Sequence, residues 1–210
     1  MEQWVAQGLH GNMSYLERNR EKRYDPRELV PGATAVVVCV LRYDKCRRDY
    51  HRTIKSMLYQ LDALLQSNPS ESSSSPDTSA SPQTISSSPQ HLFCDSAPFL
   101  ERRWAVRAGL GFIGRNHQFF HHTLGSMVHL GEIVIDRAIE TTEVIAPIKT
   151  IESRFAATPC ADCHLCEEAC PTGALRNPVW DATRCIAYTT HRCLICQQAC
   201  PLNEHRPHHS

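Results

Sequence analysis

The sequence predicts an α+β fold followed by a small cysteine-rich module, on the basis of three observations. Residues 33–41 form an apolar run rich in β-branched side chains after the turn signal Pro31-Gly32, which is typical of a buried strand. Residues 50–66 repeat apolar side chains at intervals of three and four, which predicts an amphipathic helix. Eight of the eleven cysteines lie between residues 160 and 200, in spacings typical of metal ligands.

The region before the cysteines contains further predicted elements. We expect 33–41 to be a central strand covered on both faces, with the helix at 50–66 lying on that sheet. A second helix is predicted from Pro98 to Ala108, and Gly109 ends it. Residues 126–136 indicate a strand pair or one bent strand, with Gly131 at the bend.

Two segments interrupt this pattern. The stretch 67–90 is mostly Ser and Pro with one Ile, so it cannot bury enough apolar surface to offset the entropy of ordering, and we expect a flexible loop. GLGFIG at 109–114 has the glycine spacing of a dinucleotide fingerprint, which requires a strand before it and a helix after it. A helix is predicted before it here, so we interpret the glycines as a tight turn or a close approach to a ligand, with dinucleotide binding as the alternative.

Charge and hydropathy restrict the possible partners only weakly. The chain has 22 Lys and Arg against 22 Asp and Glu, so its net charge does not indicate a nucleic-acid partner, and any such partner must bind a local patch. No run reaches the roughly 18 apolar residues of a membrane span, and the N-terminal stretch lacks an apolar signal segment. We therefore expect a cytoplasmic protein without a membrane partner, and a monomer, because no apolar stripe remains for a dimer.

The cysteine spacing predicts two [4Fe–4S] clusters. CADCHLCEEACP is C-x2-C-x2-C-x3-C-P, and a second group ends in CLICQQACP. In two-cluster ferredoxins the cysteine before proline serves the other cluster, so the two groups exchange their fourth ligands. The alternative is a pair of zinc sites, since four thiolates also suit zinc. The exchange assigns Cys160, Cys163, Cys166 and Cys200 to cluster one, and Cys170, Cys185, Cys193 and Cys196 to cluster two.

Three cysteines lie outside these motifs. We expect Cys39 to fill the core, and Cys46 and Cys94 to lie where they can approach a ligand, because polar motif residues surround them. About 150 residues precede the module and must bind something that uses its electrons.

Several longer stretches resemble a known family. They are GNMSYLERNREKRYDPRELVPGATAVVV (11–38), RDYHRTIK (48–55), DSAPFLERRWAVRAGLGFIGRN (95–116), GSMVHLGEIVID (125–136), CADCHLCEEACPTGAL (160–175) and WDATRCIAYTTHRCLICQQACPLN (180–203). In this order they are similar to the cobalamin-dependent epoxyqueuosine reductases of tRNA modification. The resemblance implies that the clusters feed electrons to a base-off cobalamin, whose reduced cobalt removes the epoxide oxygen of epoxyqueuosine at the tRNA wobble position.

The resemblance also implies roles for single residues. Asp95 matches the proton-donor aspartate; only a protonated carboxyl donates, so we expect burial against the corrin to favour its neutral form. The alternative role of Asp95 is a helix N-cap, and the two roles are compatible. Arg23 matches a cobalamin contact, and Phe119 and Leu130 fall at corrin-contacting positions by register, with core packing as their alternative.

Two basic segments are candidates for the substrate side. RDYH, Arg48 to His51, resembles a family segment near the site, with a helix start and solvated charges as the alternative. The surplus of Arg and Lys between Arg18 and Lys55 is suited to tRNA phosphates, and a solvated helix face explains it as well.

Together these features predict an epoxyqueuosine reductase with two domains. Residues 1–150 would bind cobalamin and substrate, and residues 151–210 would form the two-cluster ferredoxin-like domain, reduced by an external flavodoxin- or ferredoxin-type donor. The alternatives are an electron-transfer protein without cobalamin chemistry and an inactive, shortened family member. Family members usually begin with an additional strand and helix, so we expect the sheet to lack a strand.

Overall fold

The computed structural model describes residues 2–43, 49–67, 91–137, 158–160, 162–176, 179–190 and 193–203. The loop predicted at 67–90 lies outside these residues except for Ser67, and so do Cys46 and Arg48. Within the described part, the chain mixes helices with antiparallel strands, which confirms the α+β class.

The elements follow one another in a mixed order. The helices are α1 Glu2–Ala6, α2 Arg20–Tyr24, α3 Tyr50–Ser67, α4 Glu101–Arg107, α5 Leu165–Glu168, α6 Ile186–Thr190 and α7 Ile195–Gln198. The strands are β1 Ala35–Arg42, β2 Leu92–Phe93, β3 Gly111–Ile113, β4 Phe119–His121, β5 Val128–Ile135, β6 Leu175–Arg176 and β7 Val179–Trp180. Single 3₁₀ turns lie at Ser14–Leu16, Pro26–Glu28, Ala182–Arg184 and Pro201–Asn203. None of the helices in this described part combines the length and the apolarity that a membrane span requires.

The main sheet has three antiparallel strands in the order β1-β5-β2. Its central strand is β5, which pairs along its whole length with β1, from Val128 opposite Arg42 to Ile135 opposite Ala35. The prediction of β1 as the central strand was therefore wrong: among the described residues it pairs with β5 alone, and its side chains are half-buried. The apolar run of β1 reflects one covered face and a partly covered second face.

Helix α3 covers one face of this sheet. Ile54 and Leu58 are 3% and 0% exposed and lie against β5. Gly131 does not divide a strand pair or mark a bulge, because β5 continues through it in register, with Gly131 opposite Cys39. A Cβ atom at residue 131 would lie 2.5 Å from Cγ2 of Ile54, so glycine is needed there for close approach of the helix. Cys39 packs at the margin of this core, as predicted.

Helix α4 lies on the opposite face of the sheet. It begins at Glu101 rather than at the predicted Pro98, and Leu100 is its N-cap residue, so the prediction of Asp95 as the N-cap was wrong. The helix ends at Gly109 as predicted, in a left-handed conformation with φ of +74°. Strand β3 lies within GLGFIG itself and pairs with β4 in a hairpin, so the segment has a helix before it and, among the described residues, no helix directly after it, unlike a dinucleotide fingerprint.

The cysteine-rich segment is built from the single-turn helices α5 and α7 and the small hairpin β6-β7. The N-terminal segment lies against it. Trp4 stacks on Trp180 with ring centroids 5.5 Å apart, and the backbone N–H of Ala182 donates to the carbonyl oxygen of Leu9 at 2.9 Å. The two ends of the chain therefore pack together.

The close approach at Gly131 gives a stability prediction. Gly131→Ala should lower the free energy of unfolding by about 1–3 kcal/mol, because the added methyl group overlaps Ile54 and crowds Leu58. Urea unfolding would measure this change. In the double variant with Ile54→Ala the overlap disappears, so the loss should be smaller than the sum of the two single losses. Additive losses would contradict the contact.

Candidate functional site

The four cysteines predicted for cluster one lie together. Burial, followed by Glu167 and then by Cys160, Cys200 and Cys163, raises the pKa of the Cys166 thiol to about 11. These neighbours place Cys200, from the end of the described chain, beside the first three cysteines of the motif. The chain thus returns to its first cysteine group, as the exchange of fourth ligands requires.

The second set is assembled in the same way. Burial raises the pKa of Cys196 to about 11, and the nearby thiols of Cys166, Cys185, Cys193 and Cys170 add to this rise. Cys170, from the first motif, therefore lies with the second group. Because Cys166 is also near, the two sets adjoin each other.

A cavity marks the position between the sulfurs of the first set. Residues from the GLGFIG-RN segment and the β4 strand close its other side. It is lined by Arg115, Asn116, Phe120, Cys160, Cys163, Leu165, Cys166 and Cys200.

Four thiolates suit either a [4Fe–4S] cluster or a tetrahedral zinc ion, so the donor atoms alone do not select the metal. The feature that favours clusters is the spacing C-x2-C-x2-C-x3-C-P of the first motif.

Arg115 ties the first cysteine loop to the sheet domain. Its Nε donates to the carbonyl oxygen of Cys160 at 2.8 Å, and its guanidinium forms an ion pair with Glu167 at 3.1 Å. Both side chains of the pair are largely buried, at 16% and 18% exposure. Asn116 adds a long hydrogen bond of 3.5 Å from Nδ2 to the carbonyl oxygen of Cys196.

A second attachment centres on Ser126, in the turn before β5. The Nε2 of Gln197 donates to the carbonyl oxygen of Ser126 at 3.0 Å, and Nδ2 of Asn203 donates to its Oγ at 2.9 Å. The Ser126 N–H donates to Oδ1 of Asn203 at 3.0 Å. The sequence analysis missed these residues and Arg115. The signal was their place inside the matching stretches, because these four polar residues had no other assigned role.

Asp95 lies in the loop between β2 and α4, with its backbone in the left-handed region at φ of +50°. Its Oδ2 accepts a hydrogen bond of 2.7 Å from the phenol of Tyr50, and its backbone N–H donates to Oε1 of Glu101 at 2.7 Å. The ring of Tyr50 stacks on His129 with centroids 4.0 Å apart. These contacts fix an exposed carboxylate in one orientation.

In its described part, the RDYH segment begins helix α3 and also contacts the loop that carries Asp95. Asp49 caps helix α3 by accepting from the N–H of Arg52 at 3.3 Å, and Tyr50 reaches Asp95. His51 lies near as well: one ligand atom each of His51, Cys94 and Asp95 fall within 4.8 Å of one another. Cys94 is therefore next to the predicted proton donor, although its thiol is fully buried.

Two further carboxyl groups surround Asp95. Burial, followed by the negative charge of Asp95, raises the pKa of Glu101 to about 8. Glu132, on β5, is 0% exposed, and neither of its carboxyl oxygens has a hydrogen-bond partner among the described residues. Burial, with Glu101 and Asp95, raises its pKa well above the ordinary value. These groups form an acidic pocket whose members we define as Asp95, Glu101 and Glu132.

Tyr43 connects the acidic pocket with the cysteine module. Its phenol hydrogen-bonds the side chain of Gln197, which neighbours Cys196 in the chain. Burial raises the pKa of Tyr43, and the positive charge of Arg102 opposes that rise. The negative charge of Asp95 adds to the rise, so Asp95 lies near the Tyr43 phenol.

The remaining predicted cobalamin contacts occupy buried positions. Phe119 and Leu130 are 3% and 8% exposed and belong to the core between β5 and α4, so the structure gives them the core role that the sequence left open. Arg23 is 6% exposed; its guanidinium donates to the carbonyl oxygen of Tyr15 at 2.9 Å. Its buried Nε has no partner among the described residues.

The attachment at Ser126 gives the second stability prediction. Asn203→Ala leaves the buried Ser126 N–H without its acceptor and removes one of the two donors to the Ser126 hydroxyl, so the free energy of unfolding should fall by about 1–3 kcal/mol in urea unfolding. Gln198→Ala, an exposed change on the neighbouring helix turn, is the control and should stay near the wild-type value. Equal stabilities of the two variants would contradict the role of Asn203.

The chain resembles known proteins over nearly its whole length, although no protein-family model matches it. A relative from Cyclobacterium marinum named epoxyqueuosine reductase is 30% identical over 246 residues, which cover 99% of this chain and 71% of the relative.

Solved structures have the same fold. One is an epoxyqueuosine reductase with an epoxyqueuosine-modified tRNA stem loop, 24% identical with a TM-score of 0.71. Another, from Bacillus subtilis, has its catalytic aspartate loop swung out of the active site and is 25% identical with a TM-score of 0.68. Each match covers 99% of this chain, and the chain spans 59% of the length of each solved structure. The identity and coverage of the curated relative show that this chain belongs to the epoxyqueuosine reductase family.

Proposed function

We propose that this chain reduces epoxyqueuosine to queuosine at the wobble position of tRNA. The observation that carries the proposal is the attachment of two four-cysteine sets to a sheet domain that presents Asp95 on an ordered loop. Family membership implies a cofactor-dependent reductase. A solved relative holds an epoxyqueuosine-modified tRNA stem loop, which supports the same substrate here. A tRNA substrate also supports a cytoplasmic location.

The proposed cofactors are two [4Fe–4S] clusters and cobalamin. The ligand sets are the two exchanged groups of the sequence analysis: Cys160, Cys163, Cys166 and Cys200, and Cys170, Cys185, Cys193 and Cys196. The cavity that the first four cysteines line and the C-x2-C-x2-C-x3-C-P spacing of the first motif support a cluster. For cobalamin, the buried unpartnered Nε of Arg23 is a donor that suits a peripheral amide oxygen of the corrin.

When bound, reduced cobalamin supplies the strongly reducing cobalt and the clusters supply its electrons. The residues of the chain supply the proton that the departing oxygen needs. Asp95 donates a proton to that oxygen, a contribution of general acids that is typically worth roughly 10²–10⁴-fold in rate. Tyr50 donates to Oδ2 of Asp95 and stabilises the carboxylate that remains after the transfer.

The arrangement also divides the chain into two working parts. We propose residues 1–150 as the cobalamin and substrate domain and residues 151–210 as the cluster domain, reduced by an external flavodoxin- or ferredoxin-type donor. The exposed Arg18 and Arg52 are candidate phosphate contacts for the tRNA. The N-terminal helix that stacks on Trp180 joins the two parts.

The proposed proton donor gives a direct test. After anaerobic reconstitution with iron, sulfide and cobalamin, Asp95→Asn should keep both cofactors and lose about 10²–10⁴-fold in turnover of an epoxyqueuosine-containing tRNA stem loop. Asp136→Asn, which changes an exposed carboxylate beyond the end of β5, is the control. Undiminished turnover in Asp95→Asn would remove it from the acid role. A wild-type chain that holds clusters but does not change the spectrum of added cobalamin would favour an electron-transfer protein instead.

The exchanged ligands predict a specific loss of iron. The reconstituted wild type should hold about eight iron atoms per chain, and Cys200→Ser should hold about four, because it removes a ligand of cluster one alone. Cys39→Ser, outside the motifs, should keep the wild-type iron content. Zinc in the purified, oxygen-protected protein in place of iron would contradict the assignment.

A further inference from the structure

Glu101 lies directly beside Asp95. Its Oε1 accepts the backbone N–H of Asp95 at 2.7 Å, and its carboxyl group faces the carboxyl group of Asp95. The backbone contact holds Asp95 in its left-handed conformation, which a residue other than glycine adopts only at an energetic cost. Two carboxylates offer only acceptors, so a hydrogen bond between these two groups forms when one of them carries a proton.

The surroundings keep that proton bound near neutral pH. Several elements around Glu101 influence its pKa, mostly through negative charge or through burial. The titratable and charged groups that face it are Asp95 on its loop, Glu132 on β5, Tyr50 on α3, Cys94 after β2 and Arg102 on α4. Burial is the largest cause that raises the pKa of Glu101, and the negative charge of Asp95 is the next. The positive charge of Arg102 opposes both, and the pKa is about 8.

We propose that Glu101 and Asp95 work as one carboxyl pair, in which Glu101 holds the proton that Asp95 passes to the departing oxygen. This inference rests on the proposed function and adds a residue to its acid step. Glu101 is a positioning and proton-supplying residue that acts through Asp95. Because it is only partly buried, it regains its proton from solvent.

The balance of the reaction shows why a second carboxyl group that holds a proton is useful. Removing an epoxide oxygen to leave an alkene consumes two electrons and two protons and releases water. The electrons come from the proposed external donor through the clusters. Asp95 gives one proton to the oxygen as its first bond to carbon breaks, and Glu101 returns a proton to the Asp95 carboxylate across the hydrogen bond between them. Asp95 then gives this second proton to the oxygen as its second bond to carbon breaks and it leaves as water. A single carboxyl group would have to be reprotonated by solvent while substrate covers it.

The pair also predicts the pH dependence of the reaction. The raised pKa of Glu101 means that its neutral form is present below about pH 8 and is lost as the pH rises through that value. Turnover by the wild type should therefore fall above about pH 8. Glu101→Gln keeps an oxygen that accepts the Asp95 N–H but has no titratable proton, so it separates proton supply from loop position.

Single-turnover rates on the epoxyqueuosine-containing stem loop should be measured across pH for three reconstituted proteins: wild type, Glu101→Gln and the exposed control Glu28→Gln. Glu101→Gln should lose at least about tenfold in rate at neutral pH, part of the range that general acids supply, and its decline should move to lower pH. Glu28→Gln should follow the wild type. A Glu101→Gln profile that equals the wild-type profile would overturn the proposal.

An infrared titration tests the pair without any turnover. Below pH 8 the wild type should show the carbonyl stretch of a protonated carboxyl that disappears with a midpoint near 8, and Glu101→Gln should lack this component. Glu132→Gln should retain it. Persistence of the component in Glu101→Gln would overturn the pair, whereas an inactive wild type with the expected titration would overturn the proposed function alone.

Discussion

The hydrogen bonds at Ser126 fix the cysteine module on the sheet. Ser126 accepts hydrogen bonds from Gln197 and Asn203, near the end of the module, and Arg115 binds the module's first cysteine loop. The described residues of the module form helices of four or five residues and a hairpin of two-residue strands, so they contribute little apolar core. Its position relative to the sheet is therefore set by polar contacts with specific geometry rather than by apolar burial.

The same sheet positions the acidic pocket. Strand β2 pairs with β5 so that Phe93 lies opposite Glu132, and the chain then leaves the sheet through Cys94 to Asp95. Helix α4 starts at Glu101 and brings its carboxyl group back onto the Asp95 backbone. A buried carboxyl without partners is costly in a stable protein unless it is neutral. The raised pKa values of Glu101 and Glu132 favour their protonated forms. Such protonated groups are useful where a reaction consumes protons.

The sequence alone predicted those features that depend on local spacing. Helix α3, the end of α4 at Gly109 and the two cysteine sets follow from periodicity, from a turn residue and from a motif with a known ligand exchange. It did not predict which strand is central, because Gly131 and Glu132 interrupt the apolar pattern of β5. The sequence also did not show that Glu101 lies beside Asp95. The contact is made by the backbone N–H of Asp95 in a left-handed conformation, which residue spacing does not predict.

The cysteine module and the acidic pocket should serve one bound corrin. Anaerobic EPR of the reconstituted protein with cob(II)alamin, recorded before and after the clusters are reduced, tests this directly. If the corrin binds beside the module, the cobalt signal of bound, base-off cobalamin should broaden on reduction through magnetic interaction with the reduced clusters. A cobalt signal identical to that of free cobalamin, unchanged when the clusters are reduced, would contradict a shared corrin.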